Sequence, residues 1–156
     1  MLSIVENTAV GNENQDTDTI DVALLVAAEE GDERKVARLL GVGADVHKAT
    51  ETGATPLFIA AQEGHEPVVA RLLEAGADKD KARQTGATPL LMAAQNGHEP
   101  VVARLLDAGA DKDKANQGGA TPLYRACMNG HEACALRLLD FGLHSVAAPT
   151  EARICG

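Results

Sequence analysis

The sequence predicts an all-α fold, an α-solenoid of stacked helix–turn–helix units joined by extended β-turn loops. Three observations predict it. Residues 52–84 laid over 85–117 differ only at Phe58/Leu91, Ile59/Met92, Glu63/Asn96, Glu74/Asp107 and Arg83/Asn116, so the chain carries a tandem repeat of 33 residues. Both of these units open an apolar run with Thr-Pro, a helix start, and interrupt it with Gly-His, a helix stop. The apolar content of 45% comes from Ala, Val and Leu, with no Trp, one Tyr and two Phe, which suits close packing of short helices.

The period runs beyond the two matching units. Forwards, Thr121-Pro122-Leu123, Gly130-His131-Glu132 and Leu138-Leu139 fall in register, with Gly142 in the place of Gly76 and Gly109. Backwards, Ala27-Ala28, Gly31, Leu39-Leu40 and Gly43-Ala44-Asp45 do the same, although Val22-Ala23-Leu24 replaces Thr-Pro-Leu. Four units follow, at about 17–49, 50–82, 83–115 and 116–148. Residues 1–16, acidic and without a basic residue, are expected to form a flexible tail. Residues 149–156 are expected to form a tail or a single capping turn, with Ile154 facing inward.

Within a unit each element has a local cause. Thr55 supplies an N-cap hydroxyl and Pro56 fits the first helical position, so a short helix starts there. Leu57, Ala60 and Ala61 form its apolar stripe, and Gly64 stops it by tolerating a left-handed conformation, as Gly97 and Gly130 do in later units. A second helix is predicted over 66–75, because Pro67 is acceptable in a first turn and Val68, Val69, Leu72 and Leu73 recur at helical spacing. Gly76 ends it, and the polar stretch from Ala77 to Ala87 returns the chain to the next Thr-Pro. Helices shorter than about 12–15 residues are marginal alone in water, so stacking has to supply the stability. The first unit is polar outside, as an end unit must be, through Glu29, Glu30, Asp32, Glu33, Arg34, Lys35 and Arg38.

A 33-residue unit with Thr-Pro-Leu-x-x-Ala, a Gly-His turn, paired leucines and Gly-Ala-Asp resembles the ankyrin repeat, over roughly residues 17–148. One departure is consistent. Phe58, Leu91 and Tyr124 stand where the family usually has histidine, and the loss of that inter-loop hydrogen bond implies more apolar packing of the loops. Lys79 and Lys112 stand where many repeats are apolar; their stems are expected to lie along the stack with the charges in water.

The chain offers little for catalysis. His65, His98 and His131 sit one repeat apart, and helices packed at about 8–10 Å cannot bring three imidazoles to one zinc at about 2 Å. They read as structural residues of the Gly-His turn. Asp78-x-Asp80 and Asp111-x-Asp113 imitate a calcium loop, but counting from Asp78 gives Arg83 where glycine is required and Pro89 where glutamate is. Solvated turn carboxylates paired with Lys79, Lys81, Lys112 and Lys114 are expected instead. Cys127, four residues before His131, and Cys134, in a core valine position, read as small buried hydrophobes, and Cys155 as an exposed thiol. Gly41-x-Gly43 and Gly118-Gly119 lack the Gly-Lys-Ser/Thr of a phosphate loop. Ser3 and Ser145 are the only serines, and neither has a nucleophile-elbow context. No enzyme and no cofactor are expected.

The net charge of −9 argues against nucleic acid, which demands a surplus of Lys and Arg on one face. No apolar stretch reaches bilayer-spanning length, and the three cysteines form no even disulfide framework. An intracellular protein, cytoplasmic or nuclear, is expected. The ankyrin resemblance implies a protein or peptide partner gripped by the loop tips and the inner helices. The tips are Glu51, Thr52 and Ala54, then Gln84, Thr85 and Ala87, then Gln117, Gly118 and Ala120. The helices contribute Glu29 and Glu30, Gln62 and Glu63, Gln95 and Asn96, and Met128 and Asn129. That surface runs from acidic to neutral, so a basic segment is expected over the first two repeats. A structural spacer, or a piece of a longer ankyrin array, is the alternative. A monomer is expected, with self-association through the last repeat left open by Leu136 and Phe141, which replace alanines of the middle units.

Overall fold

The computed structural model describes residues 13–145, with side chains described from 16 to 141. Among them eight helices alternate with turns: α1 (Glu13–Glu30), α2 (Glu33–Gly41), α3 (Pro56–Glu63), α4 (Glu66–Glu74), α5 (Pro89–Asn96), α6 (Glu99–Asp107), α7 (Pro122–Met128) and α8 (Glu132–Ser145). The predicted all-α solenoid is present. Thr55, Thr88 and Thr121 each hold an extended N-cap conformation, and each hydroxyl accepts the N–H of the residue three positions on, at 3.1–3.2 Å. Such a cap contributes about 1 kcal/mol.

The second helices end as their sequence dictates. After α4, the Gly76 N–H donates to Leu73 and the Ala77 N–H to Leu72, the paired bonds of a Schellman turn. Leu39–Ala44 and Leu105–Ala110 repeat it. The last unit departs: α8 runs through Gly142 to Ser145, although Gly142 occupies the register of Gly76. Gly76 is followed by Ala-Asp, whose carboxylate accepts the Asp80 N–H at 3.0 Å and rewards the turn. Leu143-His144 offers no such acceptor, and a mid-helix glycine costs only about 1 kcal/mol. Similarly α7 stops at Met128, one residue before the predicted end, with Asn129 as its cap.

At the other end α1 begins at Glu13, so the expected boundary at residue 17 falls inside a helix. Two contacts tie this helix to the loop that closes the first unit. Asp21 Oδ1 accepts the Asp45 N–H at 2.7 Å, and Lys48 Nζ donates to Asp18 Oδ1 at 2.9 Å. That hydrogen bond and the Asp18 charge push the Lys48 ammonium pKa upwards. Residues 1–12 and the proposed capping turn at 149–156, Ile154 included, lie outside the described residues.

One apolar core runs through the stack from Leu24 on α1 to Leu138 on α8, built chiefly of fully buried alanines, valines and leucines. A second, smaller cluster sits under the loops, where Ala54, Phe58, Ala87 and Leu91 are buried with Ile59 and Met92 against them. This is the apolar loop packing expected once histidine is absent from positions 58 and 91. Tyr124 departs from it and is exposed. Cys134 is buried, and desolvation, assisted by the Glu99 charge, pushes its thiol pKa up. Cys127 corrects the expectation of burial. It is exposed, although Ala61 and Ala94 at its register are fully buried, because no described unit follows to cover it.

Candidate functional site

The loop tips are tight turns tied to one another. Thr50, Arg83 and Asn116 each donate their N–H to Ala54, Ala87 and Ala120, closing the three turns. The turns are then linked in series: the Gln84 N–H donates to the Thr52 carbonyl at 3.1 Å, and the Gln117 N–H to the Thr85 carbonyl at 3.0 Å. Side chains reinforce this, since Gln84 Nε2 donates to the Glu51 carbonyl at 2.6 Å and Gln117 Nε2 to that of Gln84. The tips are thereby pre-ordered, which lowers the entropy lost on engaging a partner. Glu51, Thr52, Gln84, Thr85, Gln117 and Gly118 are exposed. Ala54, Ala87 and Ala120 are buried beneath their turns, and Ala54 and Ala87 pack in the small loop core.

Below the tips, the inner helices present the other expected residues. Glu29, Glu30, Glu63, Asn96, Met128 and Asn129 are exposed, while Gln62 and Gln95 are half-buried. Part of this row holds the stack together. His65 Nε2 bonds the Glu29 carbonyl and His98 Nε2 the Gln62 carbonyl, both at 2.9 Å. Asn96 Nδ2 donates to Gln62 and Asn129 Nδ2 to Gln95, at 3.0 and 2.8 Å. His65 and His98 thus hold the structural place expected of them in the Gly-His turn. The turn carboxylates are engaged likewise: Asp80 Oδ1 accepts the Asp111 N–H at 2.8 Å, and Lys114 Nζ donates to the Asp80 carbonyl at 3.0 Å. Among the described residues no group of three or more His, Cys, Asp or Glu is placed to hold a metal ion.

Five of the expected residues come together. Glu29, Thr52, Ala54, Gln62 and Glu63 line one cleft of about 280 Å³ between the first tip and α3, completed by Thr50, Phe58, Ile59 and Arg83. Met128 and Asn129 lie two units away and take no part in it. Arg83 reaches back from the next unit, its guanidinium carbon 5.4 Å from the centroid of the Phe58 ring. Its Nε is buried and, among the described residues, has no hydrogen-bond acceptor. The cleft thus has an apolar floor, one cation and two carboxylates. A second hollow, of about 310 Å³ between α4 and α6, holds none of the expected residues, and its Arg104 is already paired with Glu66.

Phe58 and Arg83 were not among the residues expected to bind. The signal for them lay in the repeat itself: both are among the five positions at which the middle units differ, and both differences fall on one joint.

Comparison with curated proteins gave no match. A family model described as ankyrin repeats (3 copies) matches residues 3–83, 24–116 and 75–147. Because these windows together run from residue 3 to residue 147 and take in every described helix, the chain belongs to the ankyrin-repeat family.

Proposed function

We propose that this protein is an interaction module that binds a partner protein or peptide on its tip and inner-helix surface, with a basic segment of the partner over the first two repeats. Ankyrin repeats are generally protein–protein interaction modules. The observation that carries the finer reading is the cleft at the first joint. There Glu29 and Glu63 flank the apolar floor of Phe58 and Ile59, and Glu30 and Glu51 stand exposed nearby in sequence. An extended segment would lay apolar side chains on that floor and its Lys or Arg against the carboxylates. Such pairs contribute mainly to selectivity and association rate. The ordered, mutually bonded tips support the same reading. An intracellular setting, cytoplasmic or nuclear, belongs to it and is supported by the free thiols Cys127 and Cys134.

The test is selection of random displayed peptides on the 156-residue chain. Selected binders are expected to be rich in Lys and Arg, to weaken as salt rises, and to lose about tenfold in affinity on Glu30→Lys plus Glu63→Lys. Binders indifferent to both changes would refute the assignment. A spacer role, or membership of a longer array, is the second reading, and it draws on the uncovered last repeat, where Tyr124 is 53% exposed against 1% for Phe58 and Leu91.

A further inference from the structure

Every described joint between units carries the same ion pair. Arg71 Nε donates to Glu33 at 2.9 Å, Arg104 Nε to Glu66 at 2.7 Å and Arg137 Nε to Glu99 at 2.7 Å. Each arginine reaches the glutamate of the preceding unit. The register leaves two members over: Arg38, in the first unit, and Glu132, in the last, have no ion-pair partner among the described residues. The ladder has an open donor at one end and an open acceptor at the other.

The apolar surface is open at the same two ends. On the last unit Tyr124 and Met128 are exposed one turn apart on α7, and Leu136 and Leu139 on α8. These positions close a joint elsewhere. Leu139 is 43% exposed where Leu106 is fully buried, and Leu136 replaces Ala70, which lines the hollow between α4 and α6. On the first unit Val22 and Val26, also one turn apart, are exposed on α1. One end therefore offers an apolar stripe with a free carboxylate, and the other an apolar stripe with a free guanidinium.

We propose that the last unit docks the first unit of a second copy of this chain, head to tail, with Val22 and Val26 of one copy over Tyr124 and Met128 of the other and Arg38 paired with Glu132. The joint imitates those inside the stack in its ion pair and apolar cover but lacks their tip-to-tip bonds, because Asp18, within α1, stands in the register of Gln84. Asp32 stands in the register of His65, so no imidazole meets the Met128 carbonyl, and the association is reversible. Because the two surfaces differ, each added copy exposes a fresh end, and growth continues beyond the dimer. The contact uses neither the tips nor the cleft at Phe58.

Sedimentation equilibrium of the 156-residue chain, from about 1 µM to about 1 mM, tests it. The weight-average mass is expected to climb past that of a dimer. Arg38→Glu or Glu132→Arg alone is expected to weaken association about fivefold, whereas the double variant, which reverses the pair, restores it to within about twofold. Leu136→Glu is expected to abolish growth with the helical circular dichroism retained. A constant monomer mass overturns the proposal, whatever else covers the last unit. So does association that stops at a dimer or ignores Arg38→Glu, since two last units would then be meeting face to face.

Discussion

The Arg83 guanidinium lies over the Phe58 ring, one repeat behind it in the chain, at 5.4 Å from carbon to centroid. The neighbouring joint has Leu91 and Asn116 at the same two positions, and there the Asn116 carboxamide accepts the Ala120 N–H at 3.0 Å. Each joint thus has its own solution, and the two residues of each belong together. A double-mutant cycle of Phe58→Leu and Arg83→Asn is expected to give a coupling of about 0.5–1 kcal/mol in urea denaturation. Strict additivity would mean that the stacked arrangement contributes nothing.

Gly64 and Gly130 both hold positive φ, +83° and +73°, but only the first faces a neighbour. A Cβ on Gly64 would come within 2.5 Å of His98 Nδ1, whereas a Cβ on Gly130 would meet nothing. Both alanine variants incur the left-handed penalty of about 1–2 kcal/mol. Gly64→Ala is expected to lose at least about 1 kcal/mol more, because it also displaces the His98 bond to the Gln62 carbonyl. Equal losses in thermal melts would show that the ring moves aside freely.

Cys134 links stability to alkaline pH. Burial raises its folded pKa above the ordinary thiol value of 9.0, so above that pH the unfolded chain ionises first and gains relative to the fold. The thiol's contribution is complete below the unfolded pKa and is lost as pH climbs towards the folded one. Cys134→Val copies Val68 and Val101 and should flatten that part of the profile, with a gain in relative Tm at pH ~10 and little change at pH ~7. A constant difference between wild type and variant across that range is the contrary result.

The two described thiols should differ in reactivity. With Cys155 replaced by serine, a thiol reagent at neutral pH is expected to modify exposed Cys127 within seconds to minutes and Cys134 at least about a hundredfold more slowly, through opening of the fold. Intact-mass kinetics would report this as one fast and one slow addition. Two additions at the same rate would place Cys134 at the surface.

The repeat, the caps and the stops were legible because each depends on a few adjacent residues: Thr55 ahead of Pro56, Gly64 ahead of His65, Gly76 after paired leucines. What escaped depends on neighbours that the local sequence does not name. The burial of Ala54, Ala87 and Ala120 follows from turns that fold over them. The exposure of Cys127 follows from the lack of a described unit above it, although its register predicts a core position. Gly142 carries the stop signal of Gly76 without the Ala-Asp that makes stopping favourable. The cleft was half legible: Glu29, Gln62 and Glu63 were expected from their place on the inner helices, but Arg83 joins it from the following unit.

The Arg–Glu pair that joins one unit to the next is made by the same residue types at all three described joints, and this bears on how the molecule can change in size. Removing residues 85–117 would set His131 and Asn129 against the Gln62 carbonyl and Arg137 against Glu66, pairings of the kind already present. Nothing new has to be invented at the splice. Length is thus the property that selection can alter most cheaply here, one whole unit at a time, while the chemistry of each seam stays as it is.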